Sequence, residues 1–231
     1  MNSKKTILCL ANSRKISGRC IAGKEIKGKS FGDWIRPVSA REKGEISEDE
    51  RRYQNGQTAQ LLDIVSIPCV SAQPHSCQSE NYLIDEHQYW EKVGQARWSD
   101  LGKALDKVPG ILWINYSSSH NGVNDEIPLE QANGLKNSLL FVKPDHLVLS
   151  VASEGFQTVK LKVRAQFQFN GVQYKLVVTD PVIEQAYIAR KAGTYPVDEA
   201  YICVSISEPI GGNCYKLVAS VITPDRANVK R

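Results

Sequence analysis

The sequence lacks the residue spacings that mark common metal and phosphate sites. Its six cysteines form no C-x-x-C pair, and its four histidines form no H-x-H or H-E-x-x-H motif. A nucleophile elbow, a Walker-type phosphate loop and a recognisable pair of metal carboxylates are missing as well. A dyad of Cys20 with His75 or His120 is conceivable, but with this many cysteines and histidines some such pairing can always be drawn. We therefore expect a non-catalytic protein with no cofactor and no metal site.

Long apolar runs are also absent. None approaches the roughly 20 residues that span a bilayer, and the apolar stretch over residues 6–11 is shorter than the roughly 7–15 residues of a secretory signal core. We expect a cytoplasmic protein without a membrane segment. Cysteines in such a protein are normally reduced, so Cys9 and Cys203, which lie in apolar runs, are expected to be free and buried.

Charge is distributed unevenly along the chain. The net charge is +4, but residues 1–43 carry 11 Lys/Arg against 3 Asp/Glu, whereas residues 44–100 carry 4 against 10. A basic start followed by an acidic segment indicates local electrostatic fields. Solvated surface charge remains the simpler explanation of any single cluster.

A hairpin over residues 160–178 is the strongest local signal. Residues 160–169 alternate polar and apolar without a break, which is typical of a half-buried strand. Asn170-Gly171 then predicts a two-residue type I′ turn, because both of its central residues need positive φ. This turn sets Phe169 opposite Val172 and Phe167 opposite Tyr174, and it places the polar side chains of the hairpin on one face without an acid among them. Those polar residues are Lys160, Lys162, Arg164, Gln166, Gln168, Gln173 and Lys175.

The remaining pattern predicts a mostly β protein with some α-helix. We expect a first OB-like domain over residues 1–114 with long loops and late helices, a helical or loop connection over residues 115–137, and a second OB-like domain over residues 138–231. In the second half about five strands, with one helix between the third and fourth, match the five-stranded OB barrel. A single larger barrel or an α+β fold with an antiparallel sheet is the alternative.

Four boundaries are specific enough to test. Pro68 should end a strand that begins at residue 61, because proline lacks the backbone donor of a ladder. Asp85 should cap a helix over residues 85–93, and Ser99-Asp100 should cap another over residues 99–108. Asp180 and Pro181 should begin a helix that runs to Gly193.

Several segments resemble one protein family. They are GRCIAGK at 18–24, GDWIRPVS at 32–39, LLDIV at 61–65, VTDP at 178–181 and CYKLVA at 214–219. Together they are similar to the bacterial dual OB-fold-containing domain, and the similarity covers nearly the whole chain. The resemblance implies two OB-like barrels, a place in bacterial conflict systems such as phage defence, and the sensing of nucleic acid or nucleotides. It implies no catalytic residues.

Two basic regions are candidate binding sites. The first is the polar hairpin face, where Lys160, Lys162, Arg164 and Lys175 offer charge for a nucleic-acid backbone but no aromatic ring for the bases. The second lies between residues 14 and 36 and has an aromatic among its cations, which are Arg14, Lys15, Arg19, Lys24, Lys27, Lys29 and Arg36. There Trp34 could stack on a base while Arg36 contacts a phosphate or a guanine. The alternative is a solvated face in the first case and, in the second, a core tryptophan with Arg36 extending past it.

Three functions are compatible with these patterns. The favoured one is a module that binds single-stranded nucleic acid or a nucleotide-like ligand, with Arg19, Lys24, Trp34, Arg36 and the four hairpin cations as its binding residues. The second is a protein–protein adaptor that docks a partner effector through the acidic segment over residues 42–50. An unrecognised hydrolase or nuclease is the third.

Overall fold

The computed structural model describes residues 3–155 and 158–229. The chain divides into two compact units. The first comprises the residues up to Ala104 together with those from Ala227 onward, and the second comprises Leu105–Arg226. Both units are built mainly of strands.

In the part of the first unit that the structure describes, there are six strands. These are β1 (Ser3–Lys15), β2 (Gly18–Lys27), β3 (Ser30–Val38), β4 (Asp63–Ala72), β5 (Asn81–Ile84) and β6 (Glu91–Gln95). Their order in the sheet is β1-β2-β3-β5-β4-β6, and a further pairing of β1 with β4 closes the first five strands into a ring. The β3–β5 pair is parallel, and the other pairs are antiparallel. The apolar side chains of β1 and β4 fill the ring, among them Ile7, Val65 and Ile67.

Among the described residues, the second unit has eight strands and three short helices, the last of which ends one residue beyond the unit. The strands are β7 (Glu126–Pro128), β8 (Leu139–Val142), β9 (Asp145–Glu154), β10 (Lys160–Phe169), β11 (Val172–Val178), β12 (Gly193–Pro196), β13 (Tyr201–Ile206) and β14 (Asn213–Ile222). The helices are α1 (Leu129–Ala132), α2 (Pro181–Ile188) and α3 (Pro224–Ala227).

The main path of the second sheet is β12-β9-β10-β11-β14-β13-β8, and β7 pairs with β14. Only Lys143 and Pro144 separate β8 from β9, so these two strands act as one strand interrupted at a proline. When β8 and β9 are counted as one strand and the additional strands β7 and β12 are set aside, the remaining five strands have the same order as β1–β5 of the first unit. The third and fifth of these strands form a parallel pair in both units. The predicted pair of five-stranded OB-like barrels is therefore confirmed.

The predicted hairpin is confirmed in register and turn. Phe169 lies opposite Val172 and Phe167 opposite Tyr174, as the two-residue turn requires. Asn170 and Gly171 both have positive φ, 49° and 78°. The alternation places Val163, Ala165 and Phe167 in the core of the second unit. The alternate residues of β10 therefore face away from that core.

Two predictions about the first unit are wrong, and both fail because tertiary pairing overrides a local signal. Strand β4 continues through Pro68, since its ladder with β6 ends at Ser66 and its ladder with β5 begins only at Cys69. On the edge of β4 that pairs with β5 and β6, the proline therefore interrupts no ladder hydrogen bond. Residues 85–93 are a turn followed by a strand, because residues 91–95 pair with β4. The Asp85 carboxylate accepts a hydrogen bond from the backbone N–H of His87 at 3.2 Å, so it caps the turn after Asp85 and not a helix.

Two other predicted helices form but are shorter than expected. The segment after Ser99 is a 3₁₀ helix, Trp98–Ala104, and it buries Leu101 and Ala104. Helix α2 begins as predicted, with the Asp180 carboxylate accepting from the backbone N–H groups of Val182 and Ile183, but it ends at Ile188. Gly193 instead begins β12, which pairs with β9.

None of the six cysteines, all of which lie within the described residues, forms a disulfide. Cys9 and Cys203 are fully buried within β1 and β13, as the apolar runs around them predict.

Candidate nucleic-acid interface

The outward face of the β10–β11 hairpin carries accessible cations. Lys160 and Lys162 are exposed and Lys175 is half-buried. Among the residues that the structure describes, none of these three ammonium groups has a carboxylate within ion-pair distance. Strands β10 and β11 are the second and third strands of their barrel, and in OB folds the face of these strands takes part in ligand binding.

Arg164 differs from the three lysines, and the expectation of an acid-free face is wrong at this position. Its guanidinium donates two hydrogen bonds to the Glu154 carboxylate, at 2.7 and 3.0 Å, and lies 3.7 Å from Asp125 Oδ2. Glu154 belongs to the neighbouring strand β9, and Asp125 to the segment before β7. Burial by itself would raise the pKa of Glu154, but the hydrogen bonds and charge of Arg164, with Lys162 and Lys175, lower it. Arg164 is therefore held in a buried ion pair and is not presented to a ligand.

The segment over residues 117–126 extends the sheet beside β11. The backbone of Val123 pairs with that of Lys175 through two hydrogen bonds of 3.1 and 3.2 Å. Asn124 Nδ2 donates to the Gln173 carbonyl at 2.9 Å, and Asp125 is fixed by hydrogen bonds from the backbone N–H and hydroxyl of Ser119. Residues 117–126 are therefore part of the second unit and form one border of the lysine-bearing face.

A buried lysine lies near this segment. Lys216 on β14 has the same parity as the core residue Val218, and its side chain is 0% exposed. Its ammonium donates to Asn115 Oδ1 at 2.8 Å and lies 5.2 Å from the centroid of the Tyr174 ring. Burial lowers the pKa of Lys216 to about 7, while the charge of Asp125 opposes the shift. Sequence reasoning missed this residue, although its alternation with Val218 was a signal that it faces inward.

Three predicted residues of the first unit are buried. Lys24, Trp34 and Arg36 are 8%, 6% and 3% exposed, respectively. Lys24 lies directly opposite Trp34 in the β2–β3 ladder, with its ammonium 5.7 Å from the ring centroid. Arg36 Nη2 pairs with Glu80 Oε1 at 3.0 Å, at the end of the loop between β4 and β5. These side chains are buried and have protein partners, so they are not presented to a ligand.

Arg19 lies apart from that group. It has the opposite parity to Lys24 on β2, so the two side chains point to opposite faces. Arg19 is half-buried and stands directly opposite Arg14 in the β1–β2 ladder. The structure therefore does not bring the four predicted residues of the first unit into one surface.

A second aromatic and cationic cluster was not predicted. The guanidinium of Arg190 lies 4.5 Å from the ring centroid of Tyr187 and 5.0 Å from that of Tyr195. The spacing of Tyr187 and Arg190, three residues apart on a predicted helix, was a signal that they are neighbours. Tyr195 pairs with the core residue Leu149, so this cluster lies on the core side of the sheet. The outward lysines of β10 face the other side.

Two general features of the described residues can be stated. Within 3–155 and 158–229, no group of three or more His, Cys, Asp or Glu side chains is arranged to hold a metal ion. In the same residues, no helix has the length and apolar character needed to cross a membrane.

The two rings of strands share one strand order, and in each ring the third and fifth strands are parallel. This arrangement defines a protein of two OB-type barrels. Members of this fold class bind oligonucleotides and oligosaccharides. The family model described as the dual OB-containing domain matches residues 5–221. The chain therefore belongs to the dual OB-containing domain family. No curated protein and no solved structure matches it.

Proposed function

We propose that this protein binds single-stranded nucleic acid through the outward face of β10 and β11. The observation that carries the proposal is the set of accessible lysines, Lys160, Lys162 and Lys175, on the second and third strands of an OB barrel. Ammonium groups without carboxylate partners are free to neutralise phosphates and release counterions. We call this surface the lysine face.

Amide side chains share the lysine face. Gln166 and Gln168 alternate with the core residues of β10, and Gln173 is exposed on β11. Amides can donate to and accept from base edges, so they add contacts that charge alone does not supply.

The face has no aromatic platform on the hairpin. Phe167 and Tyr174 stack on each other at 5.5 Å within the core and are closed to a base. Stacking is worth about 1–3 kcal/mol per base in single-strand binders. We therefore expect binding that is dominated by phosphate contacts, with weak sequence preference.

Fluorescence anisotropy with labelled 12-nucleotide DNA and RNA strands tests the proposal. The triple variant K160Q/K162Q/K175Q removes three positive charges from the lysine face and should weaken binding at least tenfold at 50 mM salt. The matched control is K43Q/K103Q/K107Q, which removes the same charge from exposed positions elsewhere. Equal losses in the two variants would mean that only net charge matters, and the proposal would be wrong.

The adaptor function has less support from the structure. In the acidic segment, the Glu50 carboxylate accepts hydrogen bonds from Arg41 at 2.8 Å and from the backbone N–H of Ser47 at 2.7 Å. Lys43 pairs with Glu42 at 3.3 Å. Carboxylates with partners inside the segment are less available to a protein ligand. A nuclease-resistant partner recovered by pull-down, together with no strand binding, would favour the adaptor.

The resemblance to bacterial conflict proteins leads to a cellular hypothesis. We infer a role in phage defence in which strand binding by the lysine face is the sensing step. Plaque counts on a bacterial host that expresses the wild type or the triple lysine variant test it. Protection by the wild type that the variant loses would support the role, and equal plaque counts in both strains would contradict it.

A further inference from the structure

Two arginines of the first unit have no carboxylate partner. Among the described residues, no ion pair joins Arg19 or Arg51 to an acid. Arg51 is 8% exposed, its Nε has no hydrogen-bond partner, and its Nη1 makes one bond, to the Ala59 carbonyl at 3.3 Å. A buried guanidinium normally pairs with a carboxylate, because its five donors and its charge are costly to desolvate. Arg51 therefore retains hydrogen-bond donors and a charge that a bound anion could satisfy.

The two arginines are held close together. The backbone N–H and C=O of Arg19 pair with Ile46 at 2.8 and 2.9 Å, which joins β2 to the segment that leads to Arg51. The turn before Arg51 is fixed by reciprocal hydrogen bonds between Ser47 and Glu50. Asn12 on β1 donates to the same Ala59 carbonyl at 3.0 Å, so Arg51 lies beside β1.

Arginine side chains lie close to one another in this region. Arg19 stands directly opposite Arg14 in the β1–β2 ladder, where like charges repel. Burial, and next the charge of Arg19, lower the pKa of Arg51, and Glu48 opposes this from beyond ion-pair distance. The buried carboxylate of Glu45 is nearby in sequence but forms no ion pair with either arginine. Within the described residues, the fold therefore brings Arg19 and Arg51 together with no carboxylate at ion-pair distance from either of them.

We propose that Arg19 and Arg51 form a phosphate-binding site in the first unit. Guanidinium groups bind phosphate oxygens through paired, charge-assisted hydrogen bonds, and two of them can hold one phosphate from two sides. The half-buried Arg19 provides the accessible side, and the buried Arg51 provides the desolvated side. This site is separate from the lysine face and does not depend on strand binding there.

Isothermal titration of the full-length protein with inorganic phosphate, at constant ionic strength in chloride, tests the site. The wild type should bind phosphate saturably with one site, and R19Q should bind it at least tenfold more weakly. R52Q is the matched control, because Arg52 is adjacent in sequence but already pairs with Asp49. It should bind phosphate as the wild type does.

R51K adds a second measurement. This variant keeps the positive charge but removes the planar guanidinium with its paired donors. If R51K folds, its phosphate binding should be at least fivefold weaker than that of the wild type. If it does not fold, R19Q alone tests the site. Titration with adenosine monophosphate distinguishes the source of the phosphate: tighter binding than inorganic phosphate identifies a nucleotide, and equal binding identifies a bare phosphate group. Binding that does not saturate, or losses in R52Q equal to those in R19Q, would overturn the proposal. Weaker phosphate binding in R19Q together with unchanged strand binding would support a phosphate site that is distinct from the lysine face.

Discussion

The buried ammonium of Lys216 should make the second unit more stable as the pH rises. In the folded protein its pKa is lowered from 10.5 to about 7. Between these two values the unfolded chain binds a proton that the folded protein does not bind, and stability then increases with pH. The gain begins near pH 7 and is complete above about pH 10.5. Over the whole window, a shift of this size corresponds to about 5 kcal/mol.

The variant K216M isolates this effect. Methionine fills a similar volume without the charge, so its stability relative to the wild type should be greatest at neutral pH and should decline as the pH rises. Because other titrating groups cancel in the difference, we expect the advantage of K216M to fall by about 2 kcal/mol between pH 7 and pH 9. The variant also loses the hydrogen bond to Asn115, which lowers its free energy of unfolding by an amount that does not depend on pH.

Urea unfolding followed by circular dichroism at several pH values measures the difference. K103M is the control, since Lys103 is exposed on the 3₁₀ helix and its replacement should change stability by less than about 0.5 kcal/mol at every pH. A difference between K216M and the wild type that is constant from pH 7 to pH 9 would refute the reasoning.

Two further predictions concern the packing at Gly23 and the buried ion pair of Glu154 with Arg164. Gly23→Ala would place a Cβ 2.0 Å from the Leu8 carbonyl oxygen, so we expect the free energy of unfolding in urea to fall by more than about 3 kcal/mol. Gly94→Ala is the control, because its Cβ would meet its nearest neighbour at 3.4 Å and should cost less than about 1 kcal/mol. Similar losses would contradict the close approach at Gly23. Glu154→Gln leaves the buried guanidinium of Arg164 without its main partner and should cost about 3–5 kcal/mol at pH 7. Since the folded pKa of Glu154 is lowered, its stabilising effect is lost as the pH falls through and below about 4.5, so the gap between wild type and variant should narrow on acidification from pH 6 to pH 3. A gap that is independent of pH would show that the charge of Glu154 is not what matters.

Local signals predicted the hairpin fully, because its strands alternate and Asn170-Gly171 determines the turn. The same reasoning predicted the cap at Asp180, where the side chain bonds to the backbone of the next turn. These features depend on residues that are close in sequence. The segment after Asp85 shows the limit of such reasoning. Its cap is real, but residues 91–95 pair with β4, a partner about 30 positions earlier in the chain that no local pattern reveals.

The candidate site could be predicted only in part. Lys160 and Lys162 are accessible as expected. The partners of Arg164 come from β9 and from the segment before β7, so no pattern within β10 reveals them. The same holds for Arg36, whose carboxylate partner Glu80 lies 44 positions further along the chain. The position of a residue in the alternation of a strand shows on which face of the sheet its side chain lies. Ion pairs with residues far away in sequence decide whether that side chain is accessible to a ligand.

The salt dependence of strand binding tests the central claim most directly. Three lysine–phosphate contacts on a single strand give a slope of about −2 for log affinity against log salt, which corresponds to roughly a 20-fold loss between 50 and 200 mM. We expect this slope for the wild type and for K43Q/K103Q/K107Q, and a slope near zero for K160Q/K162Q/K175Q. Equal slopes in the wild type and the lysine-face variant would contradict the assignment of phosphate binding to β10 and β11.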